Sequence, residues 1–136
     1  MADDNLSLKM KALVVDDEPD VRSLIEVLLA SSGYSVITAS DGQQALEKAR
    51  VEHPDIILLD VMLPKLDGYK VARMLKFDEN FKHIPIIMLT AKVTDRDKEM
   101  GIETGADIYL TKPFEAENLL AAMERALQKY QKNHDH

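Results

Sequence analysis

The amino-acid sequence predicts an α/β fold, a three-layer (βα)5 sandwich in which helices cover both faces of a parallel five-stranded sheet. Five short apolar runs recur along the chain, and three of them are nearly continuous Val, Ile, Leu and Met. Runs without polar alternation are typical of strands that are covered on both faces. Segments with helical periodicity fill the gaps between the runs, and this alternation indicates parallel strands with right-handed crossovers.

The first strand is predicted at Ala12–Val15. The helix that follows has apolar side chains at i, i+3, i+4, i+7 and i+8, a spacing that places them on one face. Those residues are Val21, Leu24, Ile25, Leu28 and Leu29. Pro19 suits the first turn of this helix, and Gly33 suits the residue just past its end. A second strand is therefore predicted at Tyr34–Ala39.

Asp41 and Gln44 have the spacing of a capping box, which predicts the start of the second helix. The third strand is predicted at Asp55–Leu59, and Asp67 and Gly68 are expected to shape a turn and a cap before the third helix. That helix has a short apolar stripe, which consists of Val71, Met74 and Leu75.

The fourth strand is predicted at Ile84–Leu89 and the fifth at Ala106–Leu110. The helix between them, near Thr94–Thr104, has few apolar residues, so we expect it to be held less firmly than the others. The last helix has a long apolar stripe, which consists of Leu119, Met123, Ala126, Leu127 and Tyr130.

Length and composition narrow the class of protein. The 136 residues suit one domain, which we expect at residues 10–131 with flexible ends at 1–9 and 132–136. The net charge of −7 argues against direct binding of nucleic acid by this domain. The N-terminus lacks the apolar region of a secretory signal, and no apolar run approaches the ~20 residues that span a bilayer. We therefore expect no membrane association and a cytoplasmic location. The chain has no cysteine, which excludes disulfides and thiol nucleophiles.

Polar residues follow four of the predicted strands. Asp16 and Asp17 follow the first strand, Asp60 the third, Thr90 the fourth and Lys112 the fifth. Ligands of open α/β sheets bind at this carboxyl edge. A single Asp at such a place is usually a cap or turn residue, but independent structural roles do not predict one shared edge for all five residues.

Three converging carboxylates would repel one another, at about 1–4 kcal/mol for each pair ~4 Å apart. A divalent cation reverses the sign of that interaction. Ligands that are all oxygens favour a hard ion, and few carboxylates with water suit Mg²⁺. Lys112 and Thr90 would then supply a cation and a hydrogen-bond donor for an anion beside the metal. A phosphoryl group is the natural candidate, and one carboxylate could be its nucleophile.

Four motifs in this order resemble the receiver domain of two-component response regulators, over about residues 11–130. They are "VVDDE" (Val14–Glu18), "LLDVMLPKLDG" (Leu58–Gly68), "MLTA" (Met88–Ala91) and "YLTKP" (Tyr109–Pro113). The resemblance implies the flavodoxin-like strand order 2-1-3-4-5. It also implies a phosphorelay protein that reacts on itself and is not a turnover enzyme.

The resemblance assigns a role to each residue of the carboxyl edge. Asp60 looks like the phosphoacceptor. Asp17, Asp60 and the backbone carbonyl of Met62 would bind Mg²⁺, with Mn²⁺ as an alternative ion, and Asp16 would act through a bound water. The contacts to the phosphoryl group would come from Lys112, whose bond to Pro113 is expected to be cis, and from Thr90.

Two further residues take their interpretation from the same resemblance. Tyr109 would change rotamer as Thr90 moves, and this change would signal phosphorylation. Glu18 stands at a position that is commonly acidic in the family, although a place near a helix N-terminus explains it equally well.

The partner implied by the resemblance is a sensor histidine kinase or a histidine phosphotransfer protein. The downstream target stays open, as does the choice between a stand-alone protein and part of a larger regulator. A phosphorylation-dependent homodimer through the fourth helix and fifth strand is a further option.

Two alternatives compete with this interpretation. One is a degenerate receiver, a folded interaction module that no longer accepts phosphate. The other is a phosphatase of the haloacid dehalogenase type, whose pattern has a second Asp two residues after the nucleophile. Position 62 is Met, which argues against the phosphatase.

Overall fold

The computed structural model describes residues 9–91 and 107–134, and within them five parallel strands form one sheet. The strand order is β2-β1-β3-β4-β5, which confirms the predicted flavodoxin-like order. The strands are β1 (Lys11–Val15), β2 (Ser35–Ala39), β3 (Ile56–Asp60), β4 (Ile86–Thr90) and β5 (Ile108–Thr111). The described helices are α1 (Pro19–Ser31), α2 (Gly42–Glu52), α3 (Gly68–Lys76) and α4 (Ala116–His134).

The sheet has an apolar core on each face, because successive side chains of a strand point to opposite sides. Leu13 and Val15 pack against α2 and α3 on one face. Ala12 and Val14 pack against α1 and α4 on the other. Every residue of β3 and β4 is buried, which explains why their sequences show no polar alternation.

The predicted helix signals are confirmed, with one difference in the capping box. Pro19 begins α1, and Gly33, with φ +98°, follows its C-terminal cap. Asp41 Oδ1 accepts a hydrogen bond from the Gln44 amide at 2.8 Å. The Gln44 side-chain oxygen accepts a hydrogen bond from the Ser40 amide at 3.0 Å. In a capping box this bond would come from the amide of Asp41, one residue later.

Two of the described residues in the predicted apolar stripes are exposed. Leu24 of α1 is 71% exposed, because that helix packs on the sheet through Ile25 and Leu29. Met74 of α3 is 46% exposed, whereas Ala72 of the same helix is buried in the core. The weak helix predicted near Thr94–Thr104 lies outside the described residues. None of the described helices is long and apolar enough to cross a membrane.

Candidate functional site

Asp16 lies directly after β1 and is fully buried. Its Oδ1 accepts a hydrogen bond from the Glu18 amide at 3.0 Å, and its Oδ2 lies 2.8 Å from Lys112 Nζ. Its backbone amide donates to the carbonyl of Ala39 at 3.2 Å. A buried carboxylate is stable only when its oxygens are paired, and these contacts supply that pairing.

Asp60 is the last residue of β3 and is 5% exposed. Its Oδ1 accepts a hydrogen bond from the Met62 amide at 3.1 Å, and its Oδ2 accepts one from Lys112 Nζ at 3.1 Å. The first turn of α3 packs directly behind this residue, since a Cβ added at Gly68 would overlap the Asp60 carbonyl. The carboxylate is therefore fixed at both oxygens and at its backbone.

Lys112 joins the two acids, because its ammonium group contacts both carboxylates from the turn after β5. Its backbone amide donates to the carbonyl of Thr90 at 2.6 Å, and its peptide bond to Pro113 is cis, as expected from the sequence. The structure thus brings Asp16, Asp60, Thr90 and Lys112 to one edge of the sheet, from four different strands.

The electrostatics of the site follow from burial and from this bridge. Burial raises the pKa of Asp60 from its ordinary value, and the Lys112 and Met62 donors only partly oppose that shift. Burial by itself would lower the pKa of Lys112, but hydrogen bonds to Asp16 and Asp60 outweigh it and raise that pKa. The edge therefore holds an ammonium group that stays charged beside a poorly solvated carboxylate.

The three consecutive acids form a group that could hold a metal. One carboxylate oxygen from each of Asp16, Asp17 and Glu18 lies within 4.8 Å of the others. Asp17 and Glu18 are exposed, so a cation could reach them from solvent. An all-oxygen set fits a hard divalent ion such as Mg²⁺. Asp60 is not one of the acids grouped in this way among the described residues, but Lys112 links it to Asp16. Met62, two residues further along the chain, is 76% exposed.

Thr90 and Tyr109 lie on the same face of the sheet. Tyr109 pairs in register with Met88 and packs against the core on the α2 and α3 side. Thr90 is two residues after Met88 on β4, so its side chain points to that face as well. Thr90 itself pairs in register with Thr111, so the two predicted switch residues are diagonal neighbours on one face of β4 and β5.

Sequence reasoning missed one contact of this edge. Arg22 Nη1 of α1 donates to the backbone carbonyl of Asp16 at 2.7 Å. The apolar stripe of α1 gave no signal for it, because a polar residue between apolar positions is expected on any amphipathic helix. Glu18, which a place near a helix N-terminus explains equally well, is one of the three acids that could hold a metal.

Comparison with known proteins gives the site its context. Residues 12–124 match the response regulator receiver domain family. The chain is 49% identical over 122 residues to the alkaline phosphatase synthesis transcriptional regulatory protein PhoP of Bacillus subtilis, covering 90% of this chain and 50% of PhoP. It is 45% identical over 115 residues to protein PilG of Pseudomonas aeruginosa, covering 85% of each. The chain spans about half the length of the transcriptional regulators that it matches.

A solved structure supports the same assignment. The receiver domain of the sensor histidine kinase PA1611 from Pseudomonas aeruginosa, with a magnesium ion coordinated in the active site cleft, superimposes with a TM-score of 0.81. That domain is 38% identical, and the match covers 88% of this chain and 98% of that one. On its sequence, its fold and these relatives, the chain belongs to the receiver domain family of two-component response regulators.

Proposed function

We propose that Asp60 accepts a phosphoryl group from a phosphohistidine on a sensor histidine kinase or histidine phosphotransfer protein. The observation that carries this proposal is the position of Lys112, whose ammonium group contacts Asp60 at 3.1 Å and Asp16 at 2.8 Å. A cation held beside a buried carboxylate, at the edge where α/β sheets bind ligands, suits an incoming anion.

The three consecutive acids, Asp16, Asp17 and Glu18, are evidence for a divalent-ion site at this edge. We propose that Asp17, Asp60 and the backbone carbonyl of Met62 would hold Mg²⁺ or Mn²⁺, and that Asp16 would act through a water. Glu18 adds a third carboxylate beside Asp16 and Asp17. When bound, the ion would neutralise charge on the phosphoryl oxygens. Residues of the chain itself carry out the phosphoryl transfer.

The transfer is a displacement at phosphorus. A carboxylate oxygen of Asp60 forms the new O–P bond while the N–P bond to the partner's imidazole breaks, and that nitrogen keeps the electron pair. Burial leaves the Asp60 carboxylate poorly solvated, which favours attack. Lys112 turns from the carboxylates to the phosphoryl oxygens, and the Thr90 hydroxyl donates a hydrogen bond to the same group. The domain reacts on itself and does not turn over external substrates.

The signal is a shift between two packings of Thr90 and Tyr109, a population change driven by the new phosphoryl contact. Their common face supports this coupling, because a movement of Thr90 would change the space beside Tyr109, its diagonal neighbour. The β5 strand is at the edge of the sheet, where a downstream protein or a second copy of the chain could bind.

The experiment is labelling with a radioactive small-molecule phosphodonor in the presence of Mg²⁺. Asp60→Asn should abolish labelling while the fold stays intact. Asp67→Asn is the matched control, because Asp67 caps α3 through the Lys70 amide at 3.0 Å and Asn is an equally good cap. Normal labelling of Asp60→Asn would remove that residue from the role. An unlabelled wild-type protein would instead indicate a degenerate receiver.

A further inference from the structure

Arg22 connects α1 to the peptide group between the first two acids. Its Nη1 donates to the carbonyl oxygen of Asp16 at 2.7 Å, and its own amide donates to the carbonyl of Glu18 at 3.0 Å. That Asp16 carbonyl belongs to the peptide plane that joins Asp16 to Asp17. Arg22 therefore restrains the rotation of this plane through a bond that involves neither carboxylate.

The two acids depend on this plane to different degrees. The Asp16 carboxylate is buried and is held by the Glu18 amide and by Lys112. The Asp17 side chain is exposed, and the structure shows no hydrogen bond or ion pair for its carboxylate among the described residues. The backbone sets the direction of the Cα–Cβ bond of Asp17, and the Arg22 contact is a side-chain hydrogen bond that restrains this backbone.

We propose that Arg22 is a positioning residue, which orients the Asp17 carboxylate toward a divalent cation by holding the Asp16–Asp17 peptide. This inference rests on the proposed function, since it concerns the metal that the acid group would bind. Arg22 itself touches neither the metal nor the phosphoryl group.

A purely electrostatic role for Arg22 predicts the opposite result. A guanidinium near three carboxylates repels a second cation, so removal of the charge alone would strengthen Mg²⁺ binding. Removal of a hydrogen bond that orients a ligand would weaken it. The sign of the change in affinity therefore separates the two roles.

The test measures Mg²⁺ affinity by titration in three variants. Arg22→Met removes the donor and the charge, whereas Arg22→Gln removes the charge but keeps an amide donor. Arg50→Met is the control, because it makes the same charge change at an exposed residue in the last turn of α2. One hydrogen bond is worth about 1 kcal/mol, so we expect Arg22→Met to weaken binding roughly three- to tenfold. Arg22→Gln should bind more tightly than Arg22→Met, and Arg50→Met should bind like wild type.

A second readout reports the peptide plane directly. The carbonyl ¹³C shift of Asp16 and the amide ¹⁵N shift of Asp17 should change in Arg22→Met without Mg²⁺, and should stay close to wild type in Arg50→Met. If Arg22→Met does not fold, the wild-type protein still provides a test. A scalar coupling from the Arg22 guanidinium to the Asp16 carbonyl should persist with Mg²⁺ bound, and its loss on Mg²⁺ addition would overturn the inference.

The outcomes separate this inference from the proposed function. If the wild-type protein does not bind Mg²⁺ at millimolar concentrations, both fail. If the wild-type protein binds Mg²⁺ and Arg22→Met binds it equally well or more tightly, only the positioning role of Arg22 is overturned.

Discussion

The ammonium group of Lys76 lies 3.0 Å from a carboxylate oxygen of Asp107, and each side chain is only 8% exposed. Lys76 also donates to the carbonyl of Ile84 at 2.7 Å, and Asp107 accepts from the amide of Ile86 at 2.8 Å. This pair lies at the edge of the sheet opposite the acids, where it ties the end of α3 to the start of β4 and β5. Burial lowers the pKa of Lys76, and Asp107 opposes that shift.

Lys76→Met should destabilise the protein by about 3 kcal/mol, because it leaves the Asp107 carboxylate buried without its cation. Chemical denaturation at neutral pH measures this change. Lys82→Met is the control, since Lys82 pairs with Glu79 at 2.9 Å on the surface, where both side chains are largely exposed. A surface pair contributes little, so the control should change stability by less than about 1 kcal/mol. Equal losses in the two variants would contradict a structural role for the buried pair.

Gly68→Ala should impair both stability and phosphorylation. A Cβ at this position would overlap the carbonyl of Asp60 and crowd the backbone of Val61, so α3 must move away from the end of β3. Overpacking of this kind costs about 1–3 kcal/mol. Because the shift falls on the backbone of Asp60, labelling by a small phosphodonor should slow as well.

Gly33→Ala is the matched control for that prediction. Gly33 has φ +98°, and no atom beyond its chain neighbours lies within 4 Å of the position that a Cβ would take there, so the substitution strains only the backbone. A loss of about 1–2 kcal/mol is expected, with an unchanged labelling rate. If Gly33→Ala slowed labelling as much as Gly68→Ala, the effect would be general destabilisation and not displacement of Asp60.

The sequence predicted the sheet well because its signals are local or periodic. Continuous apolar runs predicted β3 and β4. Asp60 and Lys112 were candidate site residues because each follows a predicted strand. The exposure of Leu24 was beyond such reasoning, since a stripe of five apolar positions does not say which of them meets the sheet. The contact of Arg22 with a backbone carbonyl was also out of reach, because main-chain acceptors have no sequence signature.

Lys112→Met should increase the stabilisation of the protein by Mg²⁺. Without the ammonium group, the carboxylates of Asp16 and Asp60 lose the cation that they share, and a metal becomes the remaining source of positive charge. Thermal unfolding with and without Mg²⁺ measures the difference between the variant and the wild-type protein. Labelling should be slower by a factor of about 100 or more, since a donor to the phosphoryl oxygens is missing. Equal stabilisation by Mg²⁺ in both proteins would show that Lys112 does not compete with the metal.

Asp60→Asn should stabilise the metal-free protein at neutral pH, and the gain should shrink as the pH falls. Burial raises the folded-state pKa of Asp60 above the unfolded value, so the folded protein binds more protons than the unfolded chain between the two pKa values. Stability therefore falls as the pH rises through that window, and above it the ionised carboxylate carries the full cost. Asn cannot ionise and avoids this cost. Denaturation of both proteins from mildly acidic to neutral pH measures the difference, with Asp67→Asn as the exposed control. A gain that did not depend on pH would show that the charge of Asp60 is not its source.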